Sequence, residues 1–204
     1  YQRRVRGMQF GKVVVVGQSG VGKTSLITTS TLESFSQEQQ PTLIAAFSEK
    51  RYKYNNKDVK LLLWDTAGQE RYDAVTSVFF RGAHIALLVF GFDSSSSLQK
   101  LSYWYEQVLN KSQVKTNIVI VGNKCDLDLS QRQITQQEVE DFIQKKNIKY
   151  FQISAKTQEG FEQLFNYMGE LYTVQYDQIQ GQQKLINPVD KSSNAQEQNK
   201  KSCC

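Results

Sequence analysis

Residues 10–24, Phe-Gly-Lys-Val-Val-Val-Val-Gly-Gln-Ser-Gly-Val-Gly-Lys-Thr, decide the fold. Phe10 to Val16 is short, β-branched and stopped by Gly17, which is the pattern of a buried strand. Gly17 to Thr24 then fits GxxxxGK[ST], the phosphate-cradling P-loop. Its glycines permit a tight backbone that aims N–H groups at phosphate oxygens. Lys23 supplies charge to the β- and γ-phosphates, and the Thr24 hydroxyl can ligate Mg²⁺. The helix starting near Gly22 adds its positive end. Ser19, Gly20, Val21, Gly22, Lys23, Thr24 and Ser25 are therefore the candidate phosphate-binding residues.

Beyond that stretch, apolar runs alternate with amphipathic segments. Strands are expected over Phe47–Tyr54, Val59–Trp64, His84–Phe90, Asn117–Val121 and Lys149–Ile153, with Asn55-Asn56-Lys57-Asp58 as the turn of an antiparallel hairpin. Helices are expected over about 22–31, 71–80, 97–110, 135–146 and 160–176. A serine run can cap the third of these, and Leu98, Leu101, Tyr105, Val108 and Leu109 read as its core stripe. Phe161, Leu164, Phe165 and Met168 do the same for the last. Six strands and about five helices in alternation imply a doubly wound α/β fold, mostly parallel with one antiparallel edge strand.

A P-loop serves several nucleotides, so base selection needs its own evidence. Asn123-Lys124-Cys125-Asp126 ends the Asn117 strand. Guanine presents two donors, N1–H and the N2 amine, and the Asp126 carboxylate can accept both. Adenine would set its unprotonated N1 against the same carboxylate, and an unpaired polar group is a strong discriminator. Ser154-Ala155-Lys156 follows the next strand, where the Ala155 N–H could donate to guanine O6. Successive strand ends are where open α/β sheets bind ligands. At the end of the second hairpin strand, Asp65 suits a role in holding Mg²⁺ through water. Gly68 would let the backbone approach a γ-phosphate, and Gln69 would orient the attacking water.

With GQSGVGKT, Thr42 in PTLIAAF, WDTAGQERY, NKCD and SAK in this order, residues 10–176 resemble the Rab branch of the Ras-like small GTPases. The resemblance implies a P-loop GTPase fold binding GTP/GDP and Mg²⁺. It implies that Thr42 binds Mg²⁺ in the GTP state and that Phe35 packs over the guanine edge. Phe47, Trp64 and Phe79 match the aromatic triad facing effectors, a reading compatible with ordinary core packing. Hydrolysis would be in-line attack of water on the γ-phosphate, with Gln69 and Lys23 as catalytic residues. No built-in arginine finger stands out, so intrinsic turnover on the order of 10⁻⁴ to 10⁻³ per second is expected by analogy with Ras. An activating protein would supply an arginine, and in Rabs often a glutamine too. The other implied partners are an exchange factor, a GDP-dissociation inhibitor, a prenylation escort and GTP-dependent effectors, acting on a monomer.

Three positions depart from the family pattern. Leu43-Ile44 stand where Rabs usually have Ile-Gly, Ser19 replaces the glycine of Ras, and Gly91 stands where an Asp is usual, with Asp93 two positions later. Ala45-Ala46-Phe47 resembles the early-endosomal Rabs, which makes the early endosome the expected organelle on the cytoplasmic face of endomembranes. Two other readings share the P-loop. A non-hydrolysing guanine-binding module is opposed by Gln69, Thr42 and Asp65, and a metabolite kinase would need a lid and an acceptor site, for which no segment is evident.

Composition fits one domain with extensions: residues 1–9, a domain over 10–176 and a flexible polar tail over 177–204. The 39% hydrophobic content and net charge of +5 suit a soluble chain, and no apolar run approaches a bilayer span of about 20 residues. Basic residues near the ends (Arg3, Arg4, Arg6, Lys184, Lys191, Lys200, Lys201) can favour anionic lipid, and no aromatic-basic interleaving suggests nucleic acid. The start has no apolar run of a secretory signal and no initiator Met, which leaves its completeness open. Three cysteines without metal or disulfide spacing favour a reducing, cytosolic setting. Cys203 and Cys204 end the chain. In Rabs such a pair receives two geranylgeranyl groups, and two chains are what stable anchoring requires.

Overall fold

The computed structural model describes residues 10–32, 46–66, 79–112 and 114–186, with Ala46 and residues 175–186 described through their backbone only. Six strands form one sheet: β1 (Gly11–Val16), β2 (Ala46–Tyr54), β3 (Lys57–Asp65), β4 (Ile85–Gly91), β5 (Asn117–Asn123) and β6 (Lys149–Gln152). Their order is β2-β3-β1-β4-β5-β6, and only β2 runs antiparallel to its neighbour. The helices among the described residues are α1 (Lys23–Leu32), α2 (Ser95–Gln99), α3 (Leu101–Lys111), α4 (Gln136–Lys146) and α5 (Phe161–Ile186). Only Lys100, itself in right-handed helical conformation, separates α2 from α3. The doubly wound α/β expectation is met.

Strand periodicity explains the two layers. Alternate side chains leave opposite faces of a strand, so Val13 and Val15 of β1 enter one core with Leu26 and Ile27 of α1 and Leu164, Phe165 and Met168 of α5. Val14 and Val16 enter the other with Leu101, Trp104 and Val108 of α3 and Val139 of α4. All four valines are fully buried, as a central parallel strand covered by helices on both faces requires. The sheet is thereby fixed in register, and its strand ends are set side by side.

Several local details differ from expectation. The hairpin turn is two residues, not four: Tyr54 pairs with Lys57 across Asn55 and Asn56, which have φ of +46° and +61°. Asn tolerates this left-handed pair, and its twist suits a hairpin better than a longer loop. In α3, Trp104 fills the core seam and Leu109 is exposed, because positions 101, 104 and 108 share one helical face while 109 rotates past it. The serine run does not cap its helix through Ser94, whose side chain makes no capping bond. Ser97 instead accepts the Gly91 N–H at 3.1 Å and donates to Ser94 O at 2.6 Å, tying helix to strand end. The last helix continues to Ile186, ten residues past its expected end at Tyr176, since the Gln-rich extension favours helix despite Gly181. No helix among the described residues is long and apolar enough to cross a membrane. The terminal extension 1–9, most of the expected helix over 71–80 and the tail beyond Ile186 lie outside the described residues.

The chain's only histidine, His84, ties the start of β1 to the start of β4. Its Nδ1 accepts the Lys12 N–H at 3.0 Å, and its own N–H donates to Lys12 O at 2.9 Å. Burial, and secondarily the Lys12 charge, push its pKa below the ordinary 6.5. The unfolded chain therefore takes up this proton first. The associated stability is full above about pH 6.5 and is lost as pH falls below it. Denaturant melts should show stability falling from about pH 7.5 to 5.5, and His84→Asn, which can keep an acceptor for Lys12, should flatten that slope.

Candidate nucleotide site

The ends of β1, β3 and β5 and the loop after β6 converge on one rim, as the parallel pairing dictates. Between β1 and α1 the chain must turn so tightly that Gly17 has φ of +150°, where a Cβ would lie 2.1 Å from Val89 O. Gly22, at φ of +92°, leaves room for the Asn123 amide, which a Cβ would meet at 2.3 Å. Ser19 and Gly20 are exposed at the crest, Val21 is buried beneath, and Ser25 is half-buried in the first turn of α1.

The buried Lys23 ammonium curls back into the loop, donating to Gly17 O and Gln18 O, each at 3.0 Å. Burial lowers its pKa to about 8, opposed by the negative charge of Asp65. A cation held among carbonyls with so little solvent is set to receive anionic oxygens. Beside it, Thr24 Oγ1 donates to Asp65 Oδ2 at 2.7 Å, joining α1 to the end of β3. This pair consists of hard oxygen donors and fits Mg²⁺. Among the described residues no group of three or more His, Cys, Asp or Glu side chains could hold a metal.

The loops after β5 and β6 are cross-braced. Asn123, almost fully buried, donates from Nδ2 to Val21 O at 2.8 Å and accepts the Ala155 N–H on Oδ1 at 3.0 Å. Ser154 donates to Asp126 Oδ1 at 2.6 Å and accepts the N–H groups of Lys156 and Thr157 at 3.2 and 3.0 Å. Lys124, at φ of +68°, reaches Gly20 O at 2.8 Å. The Lys156 side chain is exposed. The Ala155 N–H, a candidate donor to guanine O6 in the sequence, is here donated to Asn123 Oδ1.

Two supporting residues escaped the sequence reading. Arg132 donates to the carbonyls of Cys125 and Leu127 while its guanidinium lies 4.8 Å over the Phe92 ring, bracing the NKCD loop from behind. Thr29 Oγ1 donates to Ala155 O at 3.0 Å. Neither belongs to a short motif, and their roles arise only when distant segments meet. Burial chiefly pushes the Cys125 thiol up to about 11, which favours its protonated form at neutral pH.

Across the sheet edge, Phe47, Trp64 and Phe79 form a continuous aromatic row, with ring centres 5.3 and 6.0 Å apart. Phe47 is 58% exposed, so the row opens to solvent and is not simply core. Phe35, Thr42, Gly68, Gln69, Cys203 and Cys204 lie outside the described residues.

Residues 12–173, which carry this whole rim, match the Ras family model. The chain is a Rab-type small GTPase of the Ras family. It is 37% identical to Ras-related protein RabC of Dictyostelium discoideum, over 76% of this chain and 80% of that one. It is 36% identical to GTP-binding protein YPT53 of Saccharomyces cerevisiae, over 78% and 74% of the two chains. It is 34% identical to Ras-related protein Rab-21 of Geodia cydonium, over 80% and 71%. As a GTPase it converts GTP and water to GDP and phosphate, which sets aside the metabolite-kinase reading.

The role of Asp126 in this GTPase can be tested by chemistry alone. Asp126→Asn would present one acceptor and one donor, matching xanthine, whose C2 carbonyl replaces the guanine amine. Competition binding should show GDP affinity falling by about 100-fold or more and xanthosine diphosphate gaining on it.

Proposed function

We propose that this GTPase is a membrane-anchored switch in vesicle trafficking, binding GTP or GDP with Mg²⁺ and recruiting effectors while GTP is bound. One observation carries the reading: the Asn123 side chain joins the phosphate loop to both base-reading loops, so a guanine nucleotide would be held at both ends by one unit. Lys23 would exchange its loop carbonyls for the β- and γ-phosphate oxygens, which would compensate a buried ammonium for its lost hydration. Mg²⁺, when bound, neutralises phosphate charge, and Thr24 and Asp65, the latter through water, with Thr42 in the GTP state, are the residues to hold it. Phe35 would cover the base edge, Gly68 would meet the γ-phosphate and Gln69 would align the attacking water.

The row of Phe47, Trp64 and Phe79, opening to solvent at Phe47, runs by the end of β3 next to Asp65 and serves as the effector-facing surface. The neighbouring loops, carrying Thr42 and Gly68, would change shape when the γ-phosphate leaves. Lipid on Cys203 and Cys204 would hold the protein on the cytoplasmic face of endomembranes, the early endosome being the organelle suggested by Ala45-Ala46-Phe47. An exchange factor, an activating protein, a GDP-dissociation inhibitor and a prenylation escort complete the cycle.

Purified protein should bind GTP and GDP far more tightly than ATP. In single-turnover assays it should hydrolyse GTP slowly, on the order of 10⁻⁴ to 10⁻³ per second, and Gln69→Leu should be at least about tenfold slower. Tight guanine binding with hydrolysis unchanged by Gln69→Leu would refute the role given to that residue.

A further inference from the structure

The Lys124 ammonium is shared between two acceptors. One is Gly20 O of the phosphate loop at 2.8 Å, and the other is Asp93 Oδ2 at 2.6 Å. Asp93 lies just beyond β4, in the turn closed by the Ser94 N–H on Gly91 O at 3.1 Å. Its second carboxylate oxygen, Oδ1, is buried and has no hydrogen-bond partner among the described residues. That oxygen fills the space in which a side chain at position 91 would begin, since a Cβ on Gly91 would lie 2.5 Å from it. Gly91 does not have a positive φ, so the glycine supplies room here and not an unusual backbone.

We propose that Asp93 is a positioning residue for guanine-nucleotide binding: its carboxylate pins Lys124 against the phosphate loop, and Gly91 is small so that the carboxylate can reach. The inference rests on the reading that these loops hold GDP and GTP. The resemblance to Rabs implies an Asp at position 91, where this chain has Gly91, and Asp93 stands two positions later beside the same ammonium. A Cβ at position 91 would lie 3.7 Å from Lys124 Cε. An Asp at position 91 would compete with Asp93 for this space, since its Cβ alone would lie 2.5 Å from Asp93 Oδ1. Charge-assisted bonds are the strong ones. A half-exposed ion pair nevertheless adds little to fold stability. The effect is therefore expected in how long nucleotide stays bound, more than in melting temperature.

The test is the release of fluorescently labelled GDP from the full chain, chased with excess GTP, for wild type, Asp93→Asn, Asp93→Ala, Gly91→Asp and the double variant Gly91→Asp/Asp93→Ala. Asp93→Asn should release GDP about tenfold faster, and Gly91→Asp alone should also be faster, through the clash. The double variant should return to within about threefold of wild type, a rescue that a merely structural role for Asp93 does not provide. Asp93→Asn releasing at the wild-type rate overturns the proposal, as does a double variant no slower than Asp93→Ala. A wild type that retains no guanine nucleotide overturns the site reading itself and the proposal with it.

Discussion

The carboxamide of Asn123 is the point on which the site depends. It is almost fully buried, donates to the carbonyl of Val21 and accepts the N–H of Ala155. Three loops from distant parts of the chain are thereby fixed by one planar group. Each partner is a backbone group that would cost about 1–3 kcal/mol if left unpaired in the interior. Gly22 is part of the same device, since any side chain there would displace the amide. The parallel sheet brings the loops near each other, and this amide turns nearness into fixed geometry.

Electrostatics explain why such a site favours its ligand. The buried ammonium of Lys23 is held by neutral carbonyls, with Asp65 as the nearby negative charge countering its lowered pKa. A second positive group, Lys124, closes the far side of the phosphate loop. A nucleotide bound here would bring anionic oxygens to these ammonium groups and so offset a desolvation cost already present in the protein.

Much of this was legible in the sequence because it is local. The Val13–Val16 run, the glycine spacing after it and the strand-end positions of Asp65 and Asn123 each depend on neighbours within a few residues. The core stripe Phe161, Leu164, Phe165 and Met168 was equally plain from helical spacing. What the sequence concealed depends on contacts across the fold. The attachment of Ala155 to Asn123 spans 32 residues, that of Thr29 to Ala155 spans 126, and that of Lys124 to Asp93 spans 31. Leu109, expected in the core stripe, is exposed, and Trp104 fills the seam instead. Both are apolar, and which of them faces the core depends on how the helix is set against the sheet, which its spacing alone does not fix.

The most direct measurement is GDP affinity by calorimetric titration for wild type and Asn123→Ala, with melting curves to verify folding. If one amide joins the phosphate and base sites, the variant should stay folded and lose at least about 100-fold in affinity, the equivalent of two unpaired backbone groups. A folded Asn123→Ala protein that binds GDP as tightly as wild type would contradict this account of the site.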